Sequence, residues 1–299
     1  MLGTMTITPH LWFDGDIEAA ATLYTSAFRD ATVTGTSRYP TENLPDFQAH
    51  LAGEPLTVDL DIAGQPFTLL NGGPAFRPNP SISFMVSLDP SRDPQAREHL
   101  DDLWSALSDG GEVLMDLGTH PFSERYGWVQ DRHHVSWQLI LTNPDDGPRP
   151  YVQPSLLFSG PVQDRATEAI AYYTSVFPRS DVGVQSAYAD DHGAAAAGAL
   201  AFGELMLDGQ WFAAMDSGVE REETFTEGVS LMVACRDQEE IDRYWAALSA
   251  VPDSEQSGWC KDRFGVSWQV VPRDMAALLS RPGAFQSFMS MRKIVIADL

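Results

Sequence analysis

The phrase DRHHVSWQLI at residues 131–140 returns as DRFGVSWQVV at 262–271. Such a return means that a chain of 299 residues is built twice on one plan, which limits its fold more than any other feature. Three further pairs stand in the same order. ITPHLWFDGD (7–16) matches VQPSLLFSGP (152–161), IEAAATLYTSAF (17–28) matches TEAIAYYTSVF (167–177), and SISFMVSLD (81–89) matches GVSLMVACRD (228–237). The spacing between copies falls from 149 residues (Tyr24 to Tyr173) through 147 (Met85 to Met232) and 141 (Trp104 to Trp245) to 131 (Asp131 to Asp262). Intact blocks with drifting spacers are the mark of a duplication whose loops have changed. The largest change is SALSDGGEVLMDLGTHPFSERYGW against AALSAVPDSEQSGW.

Each first block alternates apolar residues before a Gly turn, which predicts a strand. The second block repeats Ala20, Leu23, Tyr24 and Phe28, and again Ile170, Tyr173 and Phe177, at helical spacing. TVDLDIAG with QPFTLLNGG, and ALAFGELMLDG with QWFAAMDSG, read as hairpins across Gly turns. The third and fourth blocks enclose helices centred on LDDLWSAL and EEIDRYWAAL. The order is strand, helix, strands, four times over. This predicts an α+β fold of two tandem domains, each a pair of βαβββ units, over 1–145 and 150–299. The Pro-, Gly- and Asp-rich TNPDDGPRP at 142–150 is the linker.

Composition narrows the partners. The chain has 42 acidic and 19 basic side chains, a net charge of −23. That excludes nucleic acid and anionic membrane surfaces, which need clustered Lys and Arg. Only Lys261 and Lys293 are lysines. Cys235 and Cys260 give no disulfide framework and no zinc site, and are expected to be free buried thiols. MLGTMTITPH has no basic stretch followed by an apolar run, and no segment reaches the roughly 18 apolar residues of a membrane helix. A cytoplasmic location is the expectation.

These blocks resemble the vicinal-oxygen-chelate superfamily of glyoxalase, bleomycin-resistance and extradiol dioxygenase proteins. PHLWFDG with AAATLYTSAF, SLMVACRDQEEIDRYWAAL, GWCKDRFGVSWQVVP and the tail SFMSMRKIVIADL are most similar to its PhnB-like branch. That branch often carries the label of a 3-demethylubiquinone-9 3-methyltransferase domain. The resemblance covers nearly the whole chain. It implies that paired βαβββ units form a curled, cup-shaped mixed sheet around a ligand site. It also implies an intrachain pseudo-dimer, with a further homodimer left open. Methyl transfer is not expected, because no Gly-rich loop leads from a strand into a helix; LLNGGP at 69–74 runs into Pro and Phe.

The enzymes of the superfamily hold a divalent ion through His, Gln and Glu, the last in a strand reading like DPDGNRWELV. Gln138 and Gln269 fall where that Glu belongs, in both copies. His10 sits in the first strand but is matched by Ser155, and His133 and His134 are matched by Phe264 and Gly265. No metal and no cofactor are therefore expected, and no catalytic residue is assigned. A small molecule is expected in the cup, lined by Phe13, Trp128 and Gln138 in one copy and Phe158, Trp259 and Gln269 in the other. A metal-dependent lyase, isomerase or dioxygenase with atypical ligands, and a structural or regulatory protein with degenerate sites, are the alternatives. Trp137 and Trp268 point to the opposite face by the two-residue period of a strand. The Asp131–Arg132 and Asp262–Arg263 pairs are expected to fix the turn before the last strand.

Overall fold

A computed structural model describes residues 7–299 except 43, 45, 144–146 and 148, and the side chains at 46–48. The predicted linker lies partly outside the described residues. Elements run β1 (Ile7–Phe13), α1 (Ile17–Ala27), β2 (Ala31–Arg38), β3 (Pro55–Ile62), β4 (Gln65–Asn71), then β5 (Ile82–Leu88), α2 (Ala96–Ser108), β6 (Glu112–His120), β7 (Ser123–Gln130), β8 (Ser136–Leu141). The second copy gives β9 (Val152–Phe158), α3 (Ala166–Val176), β10 (Asp181–Ala187), β11 (Leu200–Leu207), β12 (Gln210–Asp216), then β13 (Val229–Cys235), α4 (Gln238–Leu248), β14 (Trp259–Lys261), β15 (Ser267–Pro272). Two short helices close it, α5 (Met275–Leu279) and α6 (Ala284–Ser290). Three of the four predicted units are βαβββ. The fourth has two strands after its helix, because the segment that forms β6 in the first copy is the one shortened in the second.

Two compact units result, His10–Leu156 and Leu157–Leu299 with Ile7–Pro9. In the first, the strands run β1-β4-β3-β2 and β9-β5-β8-β7-β6. The contribution of β9 is Val152–Leu156, which pairs antiparallel with β5. In the second, the orders are β10-β11-β12 and β14-β15-β13. The sheets mix parallel and antiparallel pairs: β5 with β8 and β13 with β15 are parallel, β7 with β8 and β14 with β15 antiparallel. Bulges at matching places, between Val33 and Gly35 and between Val182 and Gln185, bend the outer strands.

Both hairpins read from sequence turn on two residues. Ile62 pairs Gln65 across Ala63–Gly64 and Leu207 pairs Gln210 across Asp208–Gly209, all four turn residues having positive φ. That is the turn whose twist matches the flanking strands.

The signature turn is built around a buried carboxylate, once per copy. Asp131 accepts from the Tyr24 hydroxyl of α1 and the Trp137 indole of β8, each at 2.9 Å, and from the backbone N–H of His133 (2.8 Å) and Val135 (3.1 Å). Asp262 accepts from Tyr173 (2.7 Å), Trp268 (2.8 Å), Phe264 N–H (2.8 Å) and Val266 N–H (3.1 Å). Each carboxylate ties a helix, a turn and the final strand together. Burial raises the pKa of both carboxyls and the four donated bonds oppose that rise.

Around these anchors lies the helix-covered core. Trp137 packs among Phe28, Tyr24 and Phe84, with ring centroids 4.9–5.4 Å away. Trp268 packs on Tyr173 and Phe177 at 5.7 and 5.5 Å, and Phe177 stacks on Tyr244 of α4 at 5.2 Å. Both tryptophans are fully buried.

Removing either anchor strands four donors in the core. Asp262→Ala is expected to cost about 3–5 kcal/mol in urea unfolding, far above an ordinary surface substitution.

Candidate functional site

Residues that alternate with Trp137 and Trp268 face away from the helices. In the first unit Trp128, Gln138, Met85 and Gln153 stand side by side across β7, β8, β5 and β9, with Ser136, Ser83 and Ser155 in the adjoining row. In the second unit Trp259, Gln269 and Met232 form the same row and Lys261, Ser267 and Ser230 the next. Gln138 and Gln269 therefore occupy equivalent places.

Their surroundings differ. Gln138 is 1% exposed and its amide is engaged at both ends. Its Oε1 accepts from the Tyr126 hydroxyl at 2.7 Å, and its Nε2 donates to Ser83 Oγ at 2.7 Å and reaches Ser155 Oγ at 3.5 Å. Every residue of β5 and β9 is buried. Trp128 is held as well, its indole donating to Ser136 Oγ at 2.7 Å. Burial pushes the Tyr126 phenol well above its ordinary value, so it remains a donor.

Gln269 is 7% exposed and donates to Ser230 Oγ at 2.9 Å, but its Oε1 accepts no hydrogen bond from a described residue. The position of Tyr126 is taken by Ser257, whose hydroxyl turns to the carbonyl of Phe288. Around Gln269 the side chains of Met232, Ala234, Trp259 and Lys261 are half-buried. The same face is closed in the first unit and accessible in the second.

Phe13 and Phe158 lie elsewhere, contrary to the expectation that they line this surface. Phe158 joins Phe225 at 5.2 Å and Phe264 at 5.8 Å, and Phe264 contacts Tyr173 of α3. Phe13 meets the edge of His133 at 6.2 Å. Both belong to the helix-covered face, since a strand sends successive side chains to opposite sides and Phe13 shares parity with Leu11, not with His10 or Trp12. His133 thus fills the place of Phe264, and His134 takes the left-handed position of Gly265, with φ 66° against 88°. His99 is paired with Asp93. Burial lifts the thiols of Cys235 and Cys260 to about 12, leaving both as inert core residues.

The glycines after β4 serve packing. A Cβ on Gly72 would stand 2.2 Å from the Trp12 ring, whose indole donates to the Gly73 carbonyl at 2.7 Å. His10, on the same side of β1 as Trp12, is half-buried with its Nε2 enclosed and unpartnered among the described residues. Among the described residues no three His, Cys, Asp or Glu side chains come together in a way that could hold a metal ion. No helix among them is long and apolar enough to cross a membrane.

The family profile described as 3-demethylubiquinone-9 3-methyltransferase matches residues 5–140 and again 150–271. Glyoxalase I from Zea mays is 14% identical over 92% of this chain and 94% of its own, with a TM-score of 0.53. The PhnB protein from Bacillus cereus is 30% identical over 46% of this chain and 98% of its own, with a TM-score of 0.39. A comparison with curated proteins finds no match. The duplicated fold is glyoxalase-like, built twice in tandem. The chain belongs to the 3-demethylubiquinone-9 3-methyltransferase family.

Burial depresses the His10 pKa to about 4 from 6.5. The folded state then binds fewer protons than the unfolded state between those values. The stability that His10 contributes is complete above pH 6.5 and is lost as pH falls towards 4, by up to about 3 kcal/mol. Urea unfolding from pH 7 to 4 is expected to show a slope that flattens in His10→Phe.

Proposed function

We propose that the chain is a small-molecule-binding protein that works without the divalent ion of the glyoxalase enzymes. The helix-free face of β13–β15 is its binding surface and Gln269 the principal polar contact. The observation that carries this reading is the contrast between the two glutamines. Gln138 already spends both ends of its amide inside the protein, whereas Gln269 keeps its carbonyl oxygen unbonded on an accessible face. An acceptor so placed can take a hydrogen bond from a bound molecule without breaking one inside the protein.

A neutral amide stands in both copies where the enzymes carry a charged Glu, and among the described residues no three acidic, His or Cys side chains come together that could hold a metal ion. This set of donors does not fit a resident divalent ion, which favours several oxygen or imidazole ligands at one point. Methyl transfer from a nucleoside cofactor is also disfavoured. The glycines after β4 accommodate the Trp12 ring, and no helix follows them before α2.

Protein purified without chelator is expected to retain no stoichiometric metal by elemental analysis, before or after soaking in Ni²⁺, Zn²⁺, Mn²⁺ and Fe²⁺. One tightly held ion per chain would sink the metal-free reading. The two glutamines should also separate in mutagenesis. Gln138→Leu is expected to cost about 1–3 kcal/mol of stability by stranding Tyr126 and Ser83. Gln269→Leu is expected to keep near-native stability and to abolish the thermal shifts found in a small-molecule screen. Equal effects of the two substitutions on binding would count against the assignment of the β13–β15 face.

A further inference from the structure

The open face differs from its closed twin in one further respect, which is charge. Lys261, beside Trp259 on β14, forms an ion pair with Glu227 at 2.9 Å, and the two side chains are 20% and 19% exposed. The equivalent positions in the first unit are Gln130, which donates to the His134 carbonyl, and Pro80. A charged pair taken partly out of water gains little stability over a neutral alternative, and the first copy shows that glutamine serves at this place. The chain also uses arginine nearly everywhere else. Its other lysine, Lys293, forms a surface pair with Asp242.

A lysine ammonium has three donors in rotatable positions, and Glu227 engages one. The others lie on a half-accessible face, in the row next to the unbonded Oε1 of Gln269. Trp259 and Met232 supply apolar surface in that same row. We infer that this face selects a small organic carboxylate bearing a hydroxyl or amine donor. The carboxylate shares Lys261 with Glu227, the donor bonds to Gln269 Oε1, and the apolar body rests against Trp259 and Met232. Glu227 is then the resident counter-ion that keeps Lys261 paired when no anion is bound. The inference rests on the binding reading above and adds the charge class of the bound molecule.

The test uses the full chain and three probe pairs in isothermal titration at low salt: mandelate with mandelamide, phenyllactate with phenyllactamide, and phenylglycine with phenylglycinamide. The expected result is at least a tenfold preference for one or more carboxylates over the matching amide. That preference should vanish in Lys261→Gln, which restores the residue of the first copy and so preserves the fold, and persist in the surface control Lys293→Gln. Glu227→Gln should strengthen carboxylate binding. Amides binding as well as carboxylates, or a preference that survives Lys261→Gln, overturns the inference and leaves the binding reading standing. No binding by either series overturns both.

Discussion

The buried carboxylates of Asp131 and Asp262 are the points on which the rest of the structure depends. Each gathers a tyrosine from the first helix of its copy, the indole of the last strand and two backbone N–H groups of the turn between. A strand that donates its tryptophan to such an anchor has its parity fixed, and a slip by one residue would turn every side chain to the wrong face. The residue after the tryptophan must then point away from the helices. In this way a structural anchor places a glutamine on the helix-free face twice. The DR-x-x-VSWQ phrase is therefore one device: Asp for the anchor, Trp for the parity, Gln for the face beyond.

Duplication gave the molecule two copies of that face, and they have taken different courses. In the first, a tyrosine and two serines absorb the glutamine, and β5 and β9 are buried along their whole length. In the second, serine replaces the tyrosine and turns aside, which leaves an acceptor open and an ion pair nearby. Polar residues that are fully satisfied rigidify a core, whereas the Gln269 carbonyl is left able to accept a further hydrogen bond. One copy thus absorbs its glutamine in internal hydrogen bonds while the other leaves an acceptor open.

Much of this was legible in the sequence. Duplication, the α+β class and the hairpins follow from repeat spacing, period-two alternation and paired turn residues such as Ala63–Gly64 and Asp208–Gly209. The outward parity of Gln138 and Gln269 followed from their tryptophan neighbours. Phe13 and Phe158 were misplaced because ITPHLWF carries large apolar residues on both parities, Leu11 and Phe13 on one and Trp12 on the other. Alternation alone does not say which parity meets the helices. The engagement of Gln138 by Tyr126, the turning of Ser257 and the pairing of Lys261 with Glu227 join residues whose proximity only the folded strands create. The buried role of Asp131 and Asp262 was half visible. Their turn was expected, but the Tyr and Trp donors arrive from a distant helix and from the strand beyond.

The missing strand of the fourth unit has a further consequence. In the first unit the strand β7 is flanked by β6, which precedes it directly in the chain. In the second, the N–H groups of Ser257 and Gly258 instead donate to the carbonyls of Met291 and Arg292 at 2.7 and 2.8 Å, and Ile294 behind them is fully buried. Gln238 holds this tail in place, donating to the Ile294 carbonyl and accepting from the Ile296 N–H. One sheet edge is closed by a local hairpin, the other by a segment that leaves the ribosome only after the whole sheet has emerged. During synthesis the first unit can shield its edge at once, whereas the second must wait with unpaired backbone groups in water. The half whose helix-free face is less buried is thus also the half that depends on a late contact to finish folding.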